Sequence, residues 1–193
     1  MLAACPSHAQ TVAEVSQFRA ERGTEDVLVS VQLQFELPAA VEGALLKGIP
    51  MYFVAENELL RERWYWFDKK LATVQRHYRL AYQPLTRRWR LNVTAGSNTD
   101  LGPGLALNQT FDTLSEAKAV ISRITNWKVA DAADLDPDAK YRVEFRFRLD
   151  LTQLPRPFQI GALGQSDWDV GAIVKGPLVN AAPVPPPTSE AAK

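Results

Sequence analysis

Between Tyr141 and Leu149 the chain alternates without a break: Tyr141, Val143, Phe145, Phe147 and Leu149 are apolar or aromatic, while Arg142, Glu144, Arg146 and Arg148 are charged. A side-chain period of two belongs to a β-strand with one face in a core and the other in water. Val27, Val29, Val31, Leu33 and Phe35 repeat the pattern against Leu28, Ser30, Gln32 and Gln34. Such strands need a second layer over their apolar faces, so these two segments require a layered β architecture.

The segments between them supply the rest of that architecture. Leu37-Pro38 ends the first strand, and Ala39 to Lys47 predicts a short helix closed by Gly48, with Pro50 preventing its continuation. Extended structure resumes at Met51 to Val54. Leu59 to Phe67, Leu71 to Tyr82 and Arg88 to Val93 predict a three-stranded antiparallel meander, its turns at Asp68-Lys69-Lys70 and Gln83 to Arg87. Gly96 to Asn108 reads as a polar, glycine-rich loop. Thr113-Leu114-Ser115-Glu116 fits a capping box, and Leu114, Ala117, Val120, Ile121 and Ile124 trace a helical stripe behind it. Asp131 to Asp138 is an acidic turn. The expected fold is mainly β: a single-domain antiparallel β-sandwich of six to eight strands, immunoglobulin-like in outline, with one or two short helices. It spans residues 10–175, and a proline-rich tail is expected over residues 176–193.

Composition narrows the function classes. The 193 residues carry 22 Lys plus Arg against 22 Asp plus Glu, so no global field draws the chain to nucleic acid. No run approaches the roughly 20 apolar residues of a membrane-spanning helix. The opening MLAACPSHAQ contains Ser7-His8-Ala9, a small-x-small pattern that fits signal-peptidase cleavage before Gln10, leaving residues 1–9 as the remnant of a signal peptide. The expected location is periplasmic or secreted. The alternative is a lipoprotein, because Leu2-Ala3-Ala4-Cys5 resembles a lipobox that would carry the anchor on Cys5. Cleavage would remove the chain's one cysteine and with it thiol catalysis, cysteine–zinc sites and any disulfide framework.

Chemistry-bearing motifs are sparse. His77 stands alone on a strand, and Asp131, Asp134, Asp136 and Asp138 lack the glycine and terminal glutamate of a calcium-binding loop. Gly102-Pro103-Gly104 neither follows a parallel strand nor opens a helix, so it is no phosphate cradle. No metal and no cofactor is expected. The notable cluster is cationic and aromatic: Arg61, Arg63, Trp64, Trp66, Arg88 and Trp89 stand out from a stretch that also holds Lys69, Lys70, Arg76, Arg79, Arg87 and Arg90. A solvated sheet exterior accounts for many such clusters; the functional reading is a clamp for an anionic lipid, polysaccharide or acidic protein face.

The stretch FRFRLDLTQLPRPFQIGALGQSDWDV, Phe145 to Val170, resembles the C-terminal signature of a family of exported bacterial proteins, domain of unknown function 4390, often labelled proline-rich signal peptide proteins. The resemblance extends through FELP and ALLKGIPMYFVAENEL, from Phe35 to Leu60. It implies a signal peptide, an extracytoplasmic location and one domain, and it points toward two-component sensor kinases as neighbours. In this stretch Pro155 and Pro157 force the chain out of the sheet, while Gly161 and Gly164 allow tight turns. Phe158 and Trp168 are read first as anchors of a structural corner, then, with Gln165 and Asp167, as a partner-binding edge. Asp167 and Asp169, one residue apart in a strand, would face opposite ways and make a poor acid–base pair.

The leading expectation is a non-enzymatic exported module that binds another envelope protein, such as the periplasmic part of a sensor kinase. The alternative is a carrier or sensor of a small amphiphile, with a cavity lined by Leu114, Ile121 and Trp127. A hydrolase is the third reading, and it needs His77 and aspartates gathered in one cleft.

Overall fold

The computed structural model describes residues 13–63, 68–97, 106–156, 158–159 and 168–181. Its elements in chain order are β1 (Ala13–Arg22), β2 (Asp26–Phe35), α1 (Ala39–Leu46), β3 (Met51–Arg61), β4 (Lys69–Gln83), β5 (Arg88–Ser97), β6 (Ala106–Phe111), α2 (Leu114–Ser122), β7 (Arg123–Asp131), β8 (Tyr141–Leu149), β9 (Gly171–Pro177) and β10 (Val179–Asn180). They form a sandwich of a four-stranded sheet, β10-β1-β2-β7, and a six-stranded sheet, β6-β5-β4-β3-β8-β9. All pairings are antiparallel except β1 with β10.

The two alternating segments are β2 and β8, and both turn their apolar residues inward. Val27, Val29, Val31, Leu33 and Phe35 meet Val143, Phe145 and Phe147 in one core. Phe35, Phe53 and Phe147 form its centre, with Phe53 stacked on Phe147 at 5.7 Å between ring centroids and Phe35 tilted against Phe147 at 5.3 Å. Ring pairs at these spacings add about 0.5–1.5 kcal/mol each beyond the area they bury.

The two flanks of the sandwich close differently. Phe18 of β1 lies against Gly176 of β9, so closely that a Cβ on that glycine would come within 2.8 Å of the ring. On the opposite flank α2 spans the gap between the edge strands β6 and β7, with Ala117 and Ile121 fully buried beneath it. The capping box is present: Thr113 accepts from the Glu116 amide, and the Glu116 carboxylate accepts from the Thr113 amide. Gly48, at φ 84°, ends the turn after α1 in the left-handed region that glycine enters at no steric cost.

The structure corrects several expectations. Met51 to Arg61 is one strand, β3, so the first strand of the meander begins earlier than Leu59; Glu62 and Arg63 lie outside it, and residues 64–67 of the expected strand lie outside the described residues. Gly96 and Ser97 continue β5, and Ala106 to Asn108 begin β6, so neither end of the expected loop is a loop. Ile124 lies on β7 and not on the helix. Ordered pairing also runs past Lys175, since β9 reaches Pro177 and β10 pairs with Glu21 and Arg22, so a tail cannot start at 176.

Candidate functional site

Even-numbered residues of β3 and β8 and, from Thr73 on, odd-numbered residues of β4 point away from the core; a register shift at Leu59 and Leu60 brings Lys70 to the same side. Register then fixes the outer face of the six-stranded sheet row by row. One row reads Ile173, Arg146, Glu56, Gln75, Gly96; the next reads Gly171, Arg148, Val54, His77, Thr94; beyond it Tyr52 is opposite Arg79 and Arg79 opposite Asn92. Val54 is only 2 % exposed despite facing outward, because the long side chains on both sides cover it.

The half of this face toward Arg61 is neutralised by its own ion pairs. The Glu144 carboxylate accepts from Lys175 Nζ at 2.8 Å and from Arg146 at 2.9 Å. The Lys175 hydrogen bond, opposed by partial burial and aided by Arg146, holds Glu144 below its ordinary pKa. Glu56 pairs with Arg146 and accepts from Gln75, Glu58 pairs with Lys70, and Arg142 pairs with Asp68 at 2.5 Å.

The half toward α1 is different. Arg79, Arg90 and Arg148 are exposed, and among the described residues none has a carboxylate within 4 Å. Arg79 Nε donates to the Tyr52 hydroxyl at 3.3 Å. Arg88 joins them with one loose, exposed pair to Asp112 at 3.2 Å. Asp150, just past the end of β8, is buried and locally satisfied: its carboxylate accepts from the Thr152 amide and hydroxyl and from the Gln153 side-chain amide nitrogen. Burial opposes its ionisation, but those hydrogen bonds, with Arg148 nearby, outweigh burial and hold it below the ordinary range. The result is a cationic half-face floored by His77, Tyr52 and Val54.

The residues singled out from sequence do not converge on one patch. Arg61 is bound to Asp136 at 2.8 Å at the acidic end, whereas Arg88 begins β5 at the other end. The β4 span between their partners Lys69 and Gln83 separates them by roughly 45 Å at strand rise. Arg63 is exposed near Arg61. Trp89 is not available to a partner: it is 6 % exposed and packs on Tyr82 with ring centroids 4.8 Å apart. Trp168 is equally enclosed, and Phe158 is half-buried against the core, so both serve as corner anchors. Trp64, Trp66, Gln165 and Asp167 lie outside the described residues, as do residues 1–9 with Cys5. Of the described members of the stated set, only Arg88 belongs to the cationic half-face. Tyr52, Arg79, Arg90 and Arg148 complete it, and the parity of the alternating segments was the signal that could have found them.

The other candidates resolve as follows. Ile121 is fully buried, and Trp127 lies under the Arg76 guanidinium, 4.7 Å from its ring centroid, so two of the three residues proposed to line an amphiphile cavity instead fill the interior. An open trough of about 650 Å³ crosses the outside of the four-stranded sheet, lined by Gln17, Arg19, Ser30, Gln32 and Arg123. Asn57, on the inner face of β3, is wholly buried, and both polar atoms of its amide lack a hydrogen-bond partner. Among the described residues no helix is long and apolar enough to cross a membrane, and no group of three His, Cys, Asp or Glu side chains is placed to hold a metal ion.

Comparison with curated proteins and with solved structures returns no match. The family model described as a domain of unknown function, DUF4390, matches residues 10–175, and the chain belongs to that family.

Proposed function

We propose that this DUF4390 chain is an exported, non-enzymatic binding module that recognises an acidic surface on another envelope protein through the α1-side half of its six-stranded sheet. One observation carries the reading: a single sheet face is divided into a half whose acids and bases cancel and a half in which Arg79, Arg90 and Arg148 have no carboxylate within 4 Å among the described residues, Arg88 alone being paired, to exposed Asp112. Exposed arginines that merely solvate a sheet would be interleaved with acids across the whole face, as they are around Glu144 and Glu56. An arginine set beside a tyrosine on rigid strands also loses little conformational freedom on binding, which suits a hot spot.

The test is capture of native envelope complexes on the folded domain, compared with an Arg79→Glu, Arg148→Glu variant. Both side chains are exposed, so the variant keeps the fold. The reading expects proteins retained by the wild type to be lost by the variant and by added salt. An identical retained set on both proteins would contradict it.

A further inference from the structure

The sandwich has four edge strands, and three carry protection against pairing with another chain. β10 is two residues long. β9 holds Lys175, Gly176 and Pro177 and is flanked by β1 through the Phe18 contact. β7 is broken by a register shift against β2, with Asn126 at φ 48° in the break, and it carries Arg123 and Lys128. Short length, lysine, proline and bulges are the devices by which native edges avoid pairing.

β6 has none of them. Its sequence, Ala-Leu-Asn-Gln-Thr-Phe, contains no charge, glycine or proline, and its six residues pair with β5 in unbroken register from Ala106 to Phe111. Among the described residues no strand lies on its far side. Its inward-facing Leu107 is 56 % exposed although it stands opposite Val93 on the core side of the sheet, and Phe111 is only half-buried. On the outer side β6 presents the short Asn108 and Thr110, with Arg90 directly behind Thr110. An arginine side chain is long enough to reach over a threonine to the next strand position.

We infer that β6 is a docking edge for an extended segment of a partner protein, which adds as a seventh strand and alternates apolar with acidic residues. Resting on the reading of the cationic half-face above, the inference names what that face binds. Backbone hydrogen bonds to β6 supply register. Apolar residues of the segment cover Leu107 and Phe111 on the core side, and an acidic one meets Arg90 on the outer side, where Arg88 is already paired with Asp112. Charge decides between occupants: a second copy of this chain would offer an uncharged β6 and its own arginines, whereas an acidic segment neutralises them.

The experiment uses the full chain and a synthetic decapeptide in which glutamate and valine alternate. Binding is followed by calorimetry and by amide hydrogen exchange, with Arg90→Glu, Leu107→Lys and a peptide N-methylated through its central six residues as comparisons. Slowed exchange in β6, and at least tenfold weaker binding for both variants and for the methylated peptide, is the expected result. Binding that survives N-methylation and leaves β6 exchange unchanged overturns strand addition while sparing the cationic face. Slowed β6 exchange with Arg90→Glu unaffected overturns the acidic occupant and the cationic reading together. Absence of binding at millimolar peptide, or a chain that sediments as a dimer dissolved by Leu107→Lys, overturns the inference.

Discussion

Glu144 and Lys175 stand directly opposite each other on β8 and β9, and their 2.8 Å contact, with Arg146 on the other oxygen, ties the edge strand β9 to its neighbour β8. Among the described residues Glu144 and Asp150 are the two carboxyls held below their ordinary pKa, the first near the middle of β8 and the second one residue past its end. A carboxyl depressed in the folded chain binds fewer protons there than in the unfolded chain, so the stability it lends is present above its unfolded value and is lost as pH falls through its folded one. Urea unfolding followed from pH 7 downward should therefore show stability declining below the ordinary values of 4.5 and 3.8 for the two groups. Glu144→Gln should flatten the upper part of that decline. An unchanged slope in the variant would remove Glu144 from the account.

Gly176→Ala should destabilise the fold by about 1–3 kcal/mol, the usual cost of forcing extra atoms into a packed contact. The added methyl would meet the Phe18 ring at 2.8 Å. Phe18→Leu in the same chain should recover part of the loss, and the double-mutant cycle measured by denaturant unfolding gives the coupling directly.

Asn57→Leu should stabilise the protein by about 1–3 kcal/mol, because a buried amide with no hydrogen-bond partner costs its desolvation and a leucine of the same branching does not. A lower melting temperature in this variant would mean that the Asn57 amide is partnered after all.

Thr113→Ala should cost about 1 kcal/mol, since it removes the capping half of the box that starts α2. Amide exchange across Leu114 to Ala117 should quicken with it, locating the loss at the helix start.

How much of this was legible depended on local regularity. β2 and β8 alternate strictly, and Thr113 with Glu116 marks a helix start, so these were readable. β1 was not, because a register shift between Val15 and Gln17 moves the apolar parity from Ala13 and Val15 to Phe18 and Ala20. In β7 the irregularity around Asn126 spaces Ile124 and Trp127 three apart, and Ile121 to Ile124 repeats that spacing across the helix end, so the strand imitates a continuing helix. β3 was split because buried Asn57 lies between Glu56 and Glu58, which reads as a polar break. For the site, sequence exposed the arginines but not their neighbours. Whether an arginine faces Glu56 or nothing is set by which strands pair and in what register, and that pairing links residues as distant as Val54 and Arg148.

The most direct measurement of the central claim is photo-crosslinking in the living cell, with a benzophenone amino acid placed at Tyr52 or Gln83 on the cationic half-face, and at Gln32 on the far sheet as the comparison. The account predicts a discrete protein adduct from Tyr52 and Gln83 and none from Gln32. Adducts from Gln32 alone, or none at any position from a folded and exported chain, would contradict it.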